Sequence, residues 1–177
     1  MRVACVDADY RETVAVAAGV WFRGWSADVA ETEAVATVRE VAPYQPGDFY
    51  RRELPCLLAV LARGPAAEVI VVDGYVWLGP GRAGLGAHLY AALGERTPVV
   101  GVAKSRFAGA TDAIPIYRGS SRSPLYVTAA GVGAAEAAGW VASMRGPYRI
   151  PSLLRRVDQL ARTSDPEPEL IVYPRDR

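Results

Sequence analysis

The sequence predicts one α/β domain built on a mixed sheet, with three antiparallel strands followed by parallel strands and helices on its faces. Three observations carry this expectation. The first forty residues hold three short apolar runs separated by gaps too brief for a helix. Two largely apolar runs, 68–72 and 98–102, then alternate with helical patterns. Finally, 177 residues at 51% hydrophobic content are enough for one core of ordinary size.

The elements follow in order. RVACVD at 2–7 is an apolar run ending in an acid and reads as a strand. TVAVAAGVWF at 13–22 is rich in β-branched and aromatic residues and reads as a second, and EAVATVREV at 33–41 as a third. Pro43, Pro46 and Gly47 mark a loop. ELPCLLAVLAR at 53–63 has helical apolar spacing, with Glu53 opening the helix and Pro55 tolerated in its first turn. EVIVV at 68–72 has, after its glutamate, the unbroken apolar character of a strand buried on both faces, and Asp73 and Gly74 end it. A glycine-rich loop, a helix near 83–93 and the strand PVVGV at 98–102 come next. Residues 105–123 read as irregular, 125–128 as a short strand, and about 133–144 and 152–163 as helices. From residue 164 the tail is polar and partly irregular, except for LIVY at 170–173, which reads as a docking strand. Three antiparallel strands followed by alternating helix and strand is the ribonuclease H-like arrangement.

Composition excludes several classes. No run approaches the ~18 apolar residues of a membrane span. The acid-containing start does not read as a secretory leader. Cys5 and Cys56 lie inside apolar segments and read as buried free thiols of a cytoplasmic protein; two cysteines cannot build a zinc cluster. Net charge is only +1, but its distribution is uneven. Residues 104–156 carry eight bases against Asp112 and Glu136, either a face for phosphates or an ordinary solvated surface. Of the twenty basic residues, Lys104 is the only lysine. A chain that otherwise uses arginine keeps lysine where a compact ammonium matters, or by chance.

Chemistry points to the acids. Asp7 and Asp73 end strands that would be neighbours in this topology, and Glu53 opens the helix between them. Hard divalent cations seek such oxygen clusters; Mg²⁺ takes one or two carboxylates and leaves the rest to water and substrate phosphate. The alternative is that acids at strand ends are ordinary loop residues. Asp9 competes with Asp7, because alternation puts both on one side of the strand. His88, on an apolar helix, is more readily a packed residue than a ligand. Trp77 lies beside the candidate site and is either a surface cap or a base-stacking group. GPGRAG at 79–84 fits G-x-G-x-x-G, but it does not follow directly on its strand, and no acid stands about twenty residues on.

Four separated segments then resemble the endonuclease V family. YQPGDFYRRELP at 44–55 is similar to its Y-x-P-G-x-L-x-F-R-E-x-P segment. IVVDG at 70–74 is similar to its V-D-G strand end, and GVAKSR at 101–106 to the same six residues. YRIPSLLRRVD at 148–158 resembles Y-R-L-P-E-P-T-R-x-A-D. The resemblance implies a nuclease cutting DNA or RNA 3′ to a deaminated base such as inosine, acting as a monomer without a membrane. It implies Mg²⁺, or Mn²⁺, held by Asp7, Glu53, Asp73 and Asp158, with Lys104 as a further catalytic residue. It places Tyr44 in the loop that wedges into the gap left by an extruded base, and Gly47, Phe49, Gly74 and Phe107 around the base. Departures are equally definite. Tyr75, Gly79 and Gly81 stand where the family has His, His and Arg, and its Gly-His pair is missing near Ala130 and Gly131. These changes implicate base selectivity more than cleavage. A nuclease with altered lesion preference, a silent nucleic-acid binder and a small-molecule enzyme of this fold are the competing readings.

Overall fold

The computed structural model describes residues 1–12, 14–39 and 49–167, with Phe49 described by its backbone alone. Within them the chain runs β1 (Arg2–Tyr10), β2 (Val14–Arg23), β3 (Thr32–Arg39), α1 (Phe49–Leu61), β4 (Val69–Asp73), α2 (Leu85–Ala92), β5 (Val99–Ala103), β6 (Ile114–Ile116), β7 (Leu125–Ala130), α3 (Ala134–Ser143) and α4 (Ser152–Thr163). The strands form one sheet in the order β3-β2-β1-β4-β5-β7-β6. β1, β2 and β3 make the expected antiparallel meander. β4 and β5 join it in parallel.

The far edge departs from expectation. β7 returns antiparallel to β5, and β6 pairs antiparallel with β7. No helix separates β5 from β7, so a parallel connection is not made there. β6 lies inside the stretch read as irregular. Its three residues, Ile114, Pro115 and Ile116, are too few and too proline-interrupted to show a strand pattern.

Alternation along the strands sorts the core into two layers. Val3 and Cys5 of β1, Val69 and Val71 of β4, and Val100 and Val102 of β5 pack beneath α3 and α4. Ala4 and Val6, Ile70 and Val72, and Val99 face α1 and α2. β2 is apolar throughout because it is covered on both sides; Val14 to Phe22 are all buried. Trp21, fully buried, fills the space left by two glycines: a Cβ on Gly19 or Gly64 would lie 2.4 or 2.1 Å from its ring. Substituting either with alanine would force this indole to move.

α1 begins earlier than the apolar spacing suggests, at Phe49. Glu53 is therefore one turn into the helix, and Pro55 lies inside it. A proline there removes the N–H that would have met the carbonyl of Arg51. β1 likewise continues past Asp7 to Tyr10, still paired with β2. What ends at Val6 is its pairing with β4. The 170–173 segment lies outside the described residues.

A candidate metal and phosphate site

The parallel register brings the acids together. Val6 pairs with Val72, so Asp7 and Asp73 are the next residues on adjacent strands and point to the same face. Asp73 pairs with Val102 on β5. Two residues on, and on that same face, Lys104 places its Nζ 2.5 Å from Asp73 Oδ2. α4 crosses this face with Val157 buried beneath it, and Asp158 follows at the site. Glu53 arrives from the opposite layer on α1. Asp7, Glu53, Asp73 and Asp158 thus line one cavity of about 340 Å³, with Asp9 and Tyr10 on its wall. A narrow crevice of about 20 Å³ lies below, floored by Val6, Val72, Val102 and Leu125; that is room for about one water.

α4 owes its placement partly to Arg11. The guanidinium donates to the carbonyls of Ala161, Arg162 and Ser164 at 3.3, 3.1 and 2.6 Å. A cation on the orphan carbonyls at a helix C-terminus is favourable both as a hydrogen bond and toward the dipole. Arg11 also pairs with Asp9 at 3.4 Å. This separates the two candidate acids of β1. Asp9 has a cation of its own, whereas Asp7 accepts a bond from the Ala8 amide at 2.9 Å and faces Asp73.

The electrostatics are those of crowded acids over an apolar floor. Burial, and then the charge of Asp73, push the Asp7 carboxyl up to about 6. Burial, and then the charges of Asp7 and Asp73, push Glu53 up to about 8, against the opposing pull of Arg52. For Lys104, burial pulls downward, but its bond to Asp73 and the charges of Asp73, Asp158 and Asp7 prevail and hold it above the usual lysine value. Asp158 pairs along its own helix with Arg162 at 3.0 Å.

Among the described residues, no three His, Cys, Asp or Glu side chains close into a ready coordination group. The acids ring the cavity instead of meeting at a point. The donor set nonetheless suits a hard divalent cation. All four are oxygen ligands, and burial and neighbouring acids disfavour the ionised form of two of them, a cost that such an ion would relieve. A cation that keeps several waters does not require a closed protein shell.

A second cavity of about 220 Å³ adjoins the first through Glu53 and Asp73. Gly74, Tyr75, Leu78 and Arg82 line it. Gly74 has φ 124°, a conformation that side chains rarely adopt. Phe107 stands behind this wall, its ring 6.1 Å from that of Tyr75 and 5.5 Å from the Arg82 guanidinium. Tyr44 and Gly47 lie outside the described residues, and Phe49 supplies the first residue of α1. Trp77 does not stand at the acids. Its indole N–H donates to the Ala129 carbonyl at 3.0 Å, and it lines a different cavity with Gly79 and Thr128. His88 stacks on Tyr50 with ring centroids 3.5 Å apart.

Two contacts were not foreseen from sequence. The Tyr75 hydroxyl donates to the Ser105 carbonyl at 2.7 Å and accepts the Phe107 amide at 3.0 Å. Arg149 donates to the carbonyl of Lys104 and, at 2.8 Å, to that of Pro124. The chain just after Lys104 is therefore gripped from both sides. The only sequence signals were the Tyr75 substitution and the Tyr148–Arg149 pair inside the last motif.

With this geometry in place, comparison with known proteins gives a consistent result. The endonuclease V family profile matches residues 1–145. The endonuclease V of Streptomyces coelicolor is 36% identical over 188 aligned residues, covering 92% of this chain and 78% of that protein. That of Streptomyces avermitilis is 34% identical, covering 91% and 79%. The solved structure of an endonuclease V from S. avermitilis matches with a TM-score of 0.74 at 30% identity, over 92% of this chain and 80% of that one. At 19% identity, the Ciona intestinalis endonuclease V bound to an inosine-containing 23mer DNA shares the fold, with a TM-score of 0.73 over 91% and 83%.

Proposed function

Because the chain belongs to the endonuclease V family, we propose that it is a divalent-metal-dependent endonuclease of DNA repair, hydrolysing a phosphodiester bond 3′ to a deaminated base, inosine foremost, in DNA or RNA. The observation that carries this reading is the single cavity at the C-terminal edge of β1 and β4, lined by Asp7, Glu53, Asp73 and Asp158 with Lys104 at its margin.

In this reading Asp7, Glu53, Asp73 and Asp158 would hold Mg²⁺, or Mn²⁺ in its place. Such an ion supplies activation of water and stabilisation of the leaving oxygen in phosphodiester cleavage. The chain's own groups do the rest. Asp7, raised by burial and the charges of Asp73 and Asp158, and Glu53, raised by burial and the charges of Asp7 and Asp73, would be held ionised by a bound divalent ion. Lys104, anchored on Asp73, presents its ammonium to the scissile phosphate and counters the charge that grows there. Gly74 lets the backbone approach an extruded base in the 220 Å³ cavity, with Phe107 behind it. Gly47 and Phe49 complete the base surround, and Tyr44 fills the gap in the stack, so Tyr44→Ala costs duplex cleavage more than single-strand cleavage. Equal losses on both would remove the wedge role. We read residues 1–177 as one domain, acting as a cytoplasmic monomer; two buried free thiols agree with a reducing compartment, and no described helix is long and apolar enough to cross a membrane.

The test is cleavage of labelled strands carrying one inosine, uracil, abasic site or mismatch, each with Mg²⁺ or Mn²⁺. Metal-dependent cutting next to inosine is the expected result. No cutting of any strand with either metal would overturn it.

A further inference from the structure

Away from the acids the molecule exposes two aromatic rings. Tyr117 and Tyr148 are 65% and 60% exposed, the most exposed aromatic side chains among the described residues. The fold sets them on touching loops. Arg118, buried next to Tyr117, donates to the carbonyls of Met144 and Gly146 at 2.7 and 3.3 Å and so binds its loop to the turn that carries Tyr148. A Cβ on Gly119 would lie 2.5 Å from the Pro147 carbonyl oxygen and 3.2 Å from the Tyr148 Cα.

This aromatic pair is linked to the site through Arg149 and carries an arginine against one of its rings. Arg149, next to Tyr148, is the residue that holds the Lys104 carbonyl. The Arg155 guanidinium sits 5.0 Å from the Tyr148 ring centroid, a cation–π contact from the first turn of α4. Arg122 lies in the 118–124 turn and Arg106 two residues beyond Lys104, and neither forms an ion pair with a described residue. Large, flat, water-exposed rings flanked by arginines are what unpaired bases stack on while the phosphates are neutralised alongside. A duplex offers these rings no base faces.

We infer that Tyr117, Tyr148 and Arg155, with Arg106 and Arg122, form a stacking track for unpaired nucleotides flanking the cleavage point. The inference rests on the endonuclease reading and extends it: the enzyme engages single-stranded flanks outside the lesion pocket.

The experiment is fluorescence anisotropy with labelled, lesion-free oligonucleotides in EDTA, comparing a base-bearing single strand with an abasic chain of equal length. Wild type should prefer the strand with bases. Tyr117→Ala and Tyr148→Ala should each weaken that binding by about tenfold, the scale of losing one base–aromatic stack, and leave the abasic chain unaffected. Tyr148→Phe should bind like wild type, since the ring and not the hydroxyl is used. Arg155→Gln should lower the salt dependence of log K by about 0.7, one phosphate contact on a single strand. Wild-type affinity in both alanine variants, or equal losses with the abasic chain, would overturn the track and leave these tyrosines free for a protein partner. Cleavage of an inosine strand by wild type with Mg²⁺, scored in parallel, separates the two ideas. Cleavage without any effect of the tyrosine variants sinks the track alone; stacking without cleavage sinks the endonuclease reading alone.

Discussion

Lys104 Nζ stands 2.5 Å from Asp73 Oδ2, so the lone lysine of the chain is tied to the acid that ends the neighbouring parallel strand. Both side chains are about 40% exposed, so the pair itself stabilises the fold by no more than ~1 kcal/mol. Its value lies in fixing where the ammonium points. Lys104→Ala should therefore lower single-turnover cleavage by about 10²-fold or more, the scale of a lost positioned electrostatic group. Thermal melting should stay near wild type. Lys104→Arg should be almost as damaging, because a planar fork cannot take the place of a compact ammonium. Full activity in Lys104→Ala, or inactivity explained by unfolding, would remove this role.

The raised carboxyls set a pH dependence. Asp7 moves from 3.8 to about 6 and Glu53 from 4.5 to about 8 on folding. A carboxyl raised in the folded state favours folding while both states are protonated, and that contribution is lost as pH rises through the folded value. Metal-free protein should accordingly lose stability between about pH 4 and 8 from these two groups. A divalent ion competes with their protons, so Mg²⁺ or Mn²⁺ should raise the melting temperature more at pH 8 than at pH 5. Melts in EDTA and in metal across this range check it; an equal metal effect at both pH values would count against ligation by these acids.

The altered loop after Asp73 should widen base tolerance. Gly79 adopts φ 140°, and a Cβ there would lie 2.7 Å from the Gly109 carbonyl oxygen. Where the resemblance implies a histidine, this backbone has a left-handed φ and no room for a Cβ, and a lost polar contact lets analogues compete on more equal terms. Rates on uracil, abasic and mismatch strands should lie closer to the inosine rate than in a histidine-bearing relative. Gly79→His should not restore selectivity and should destabilise by about 1–3 kcal/mol, the cost of a strained backbone. Strict inosine preference in the unaltered chain would refute the idea.

Arg149 positions Lys104 through its backbone. Arg149→Ala removes charged hydrogen bonds to the carbonyls of Lys104 and Pro124. Each such bond is worth about 1.5–3 kcal/mol, so melting should fall. Turnover should fall with KM nearly unchanged, because the displaced group is the ammonium and not a binding surface. A rise in KM with unchanged turnover would point to direct phosphate binding instead.

Much of this molecule was legible from its residues, for local reasons. Short, nearly continuous apolar runs revealed β1, β2, β4 and β5, and the acid or lysine that follows a run marked Asp73 and Lys104. Patterning failed where local signals conflict. Phe49 to Arg52 are too charged, and Pro55 too unhelical, to suggest that α1 already contains them. Ile114–Ile116 is too short to read as a strand. Patterning also treats Asp7 and Asp9 alike, since both lie on one side of the strand; their partners differ only in three dimensions, Asp9 pairing with Arg11 and Asp7 facing Asp73.

The sequence by itself thus determined most strands and helices, the mixed sheet and where acids stand along it, because periodicity and charge placement are properties of neighbouring residues. Tertiary structure alone decided which groups meet. Asp7 reaches Asp73 only through the β1–β4 register, Glu53 only by approach from the other layer, and Tyr75 and Arg149 grip the Lys104 segment across 30 and 45 residues of chain. Contacts of that range leave no local trace, because the free energy that selects them comes from packing two layers of helices on one sheet.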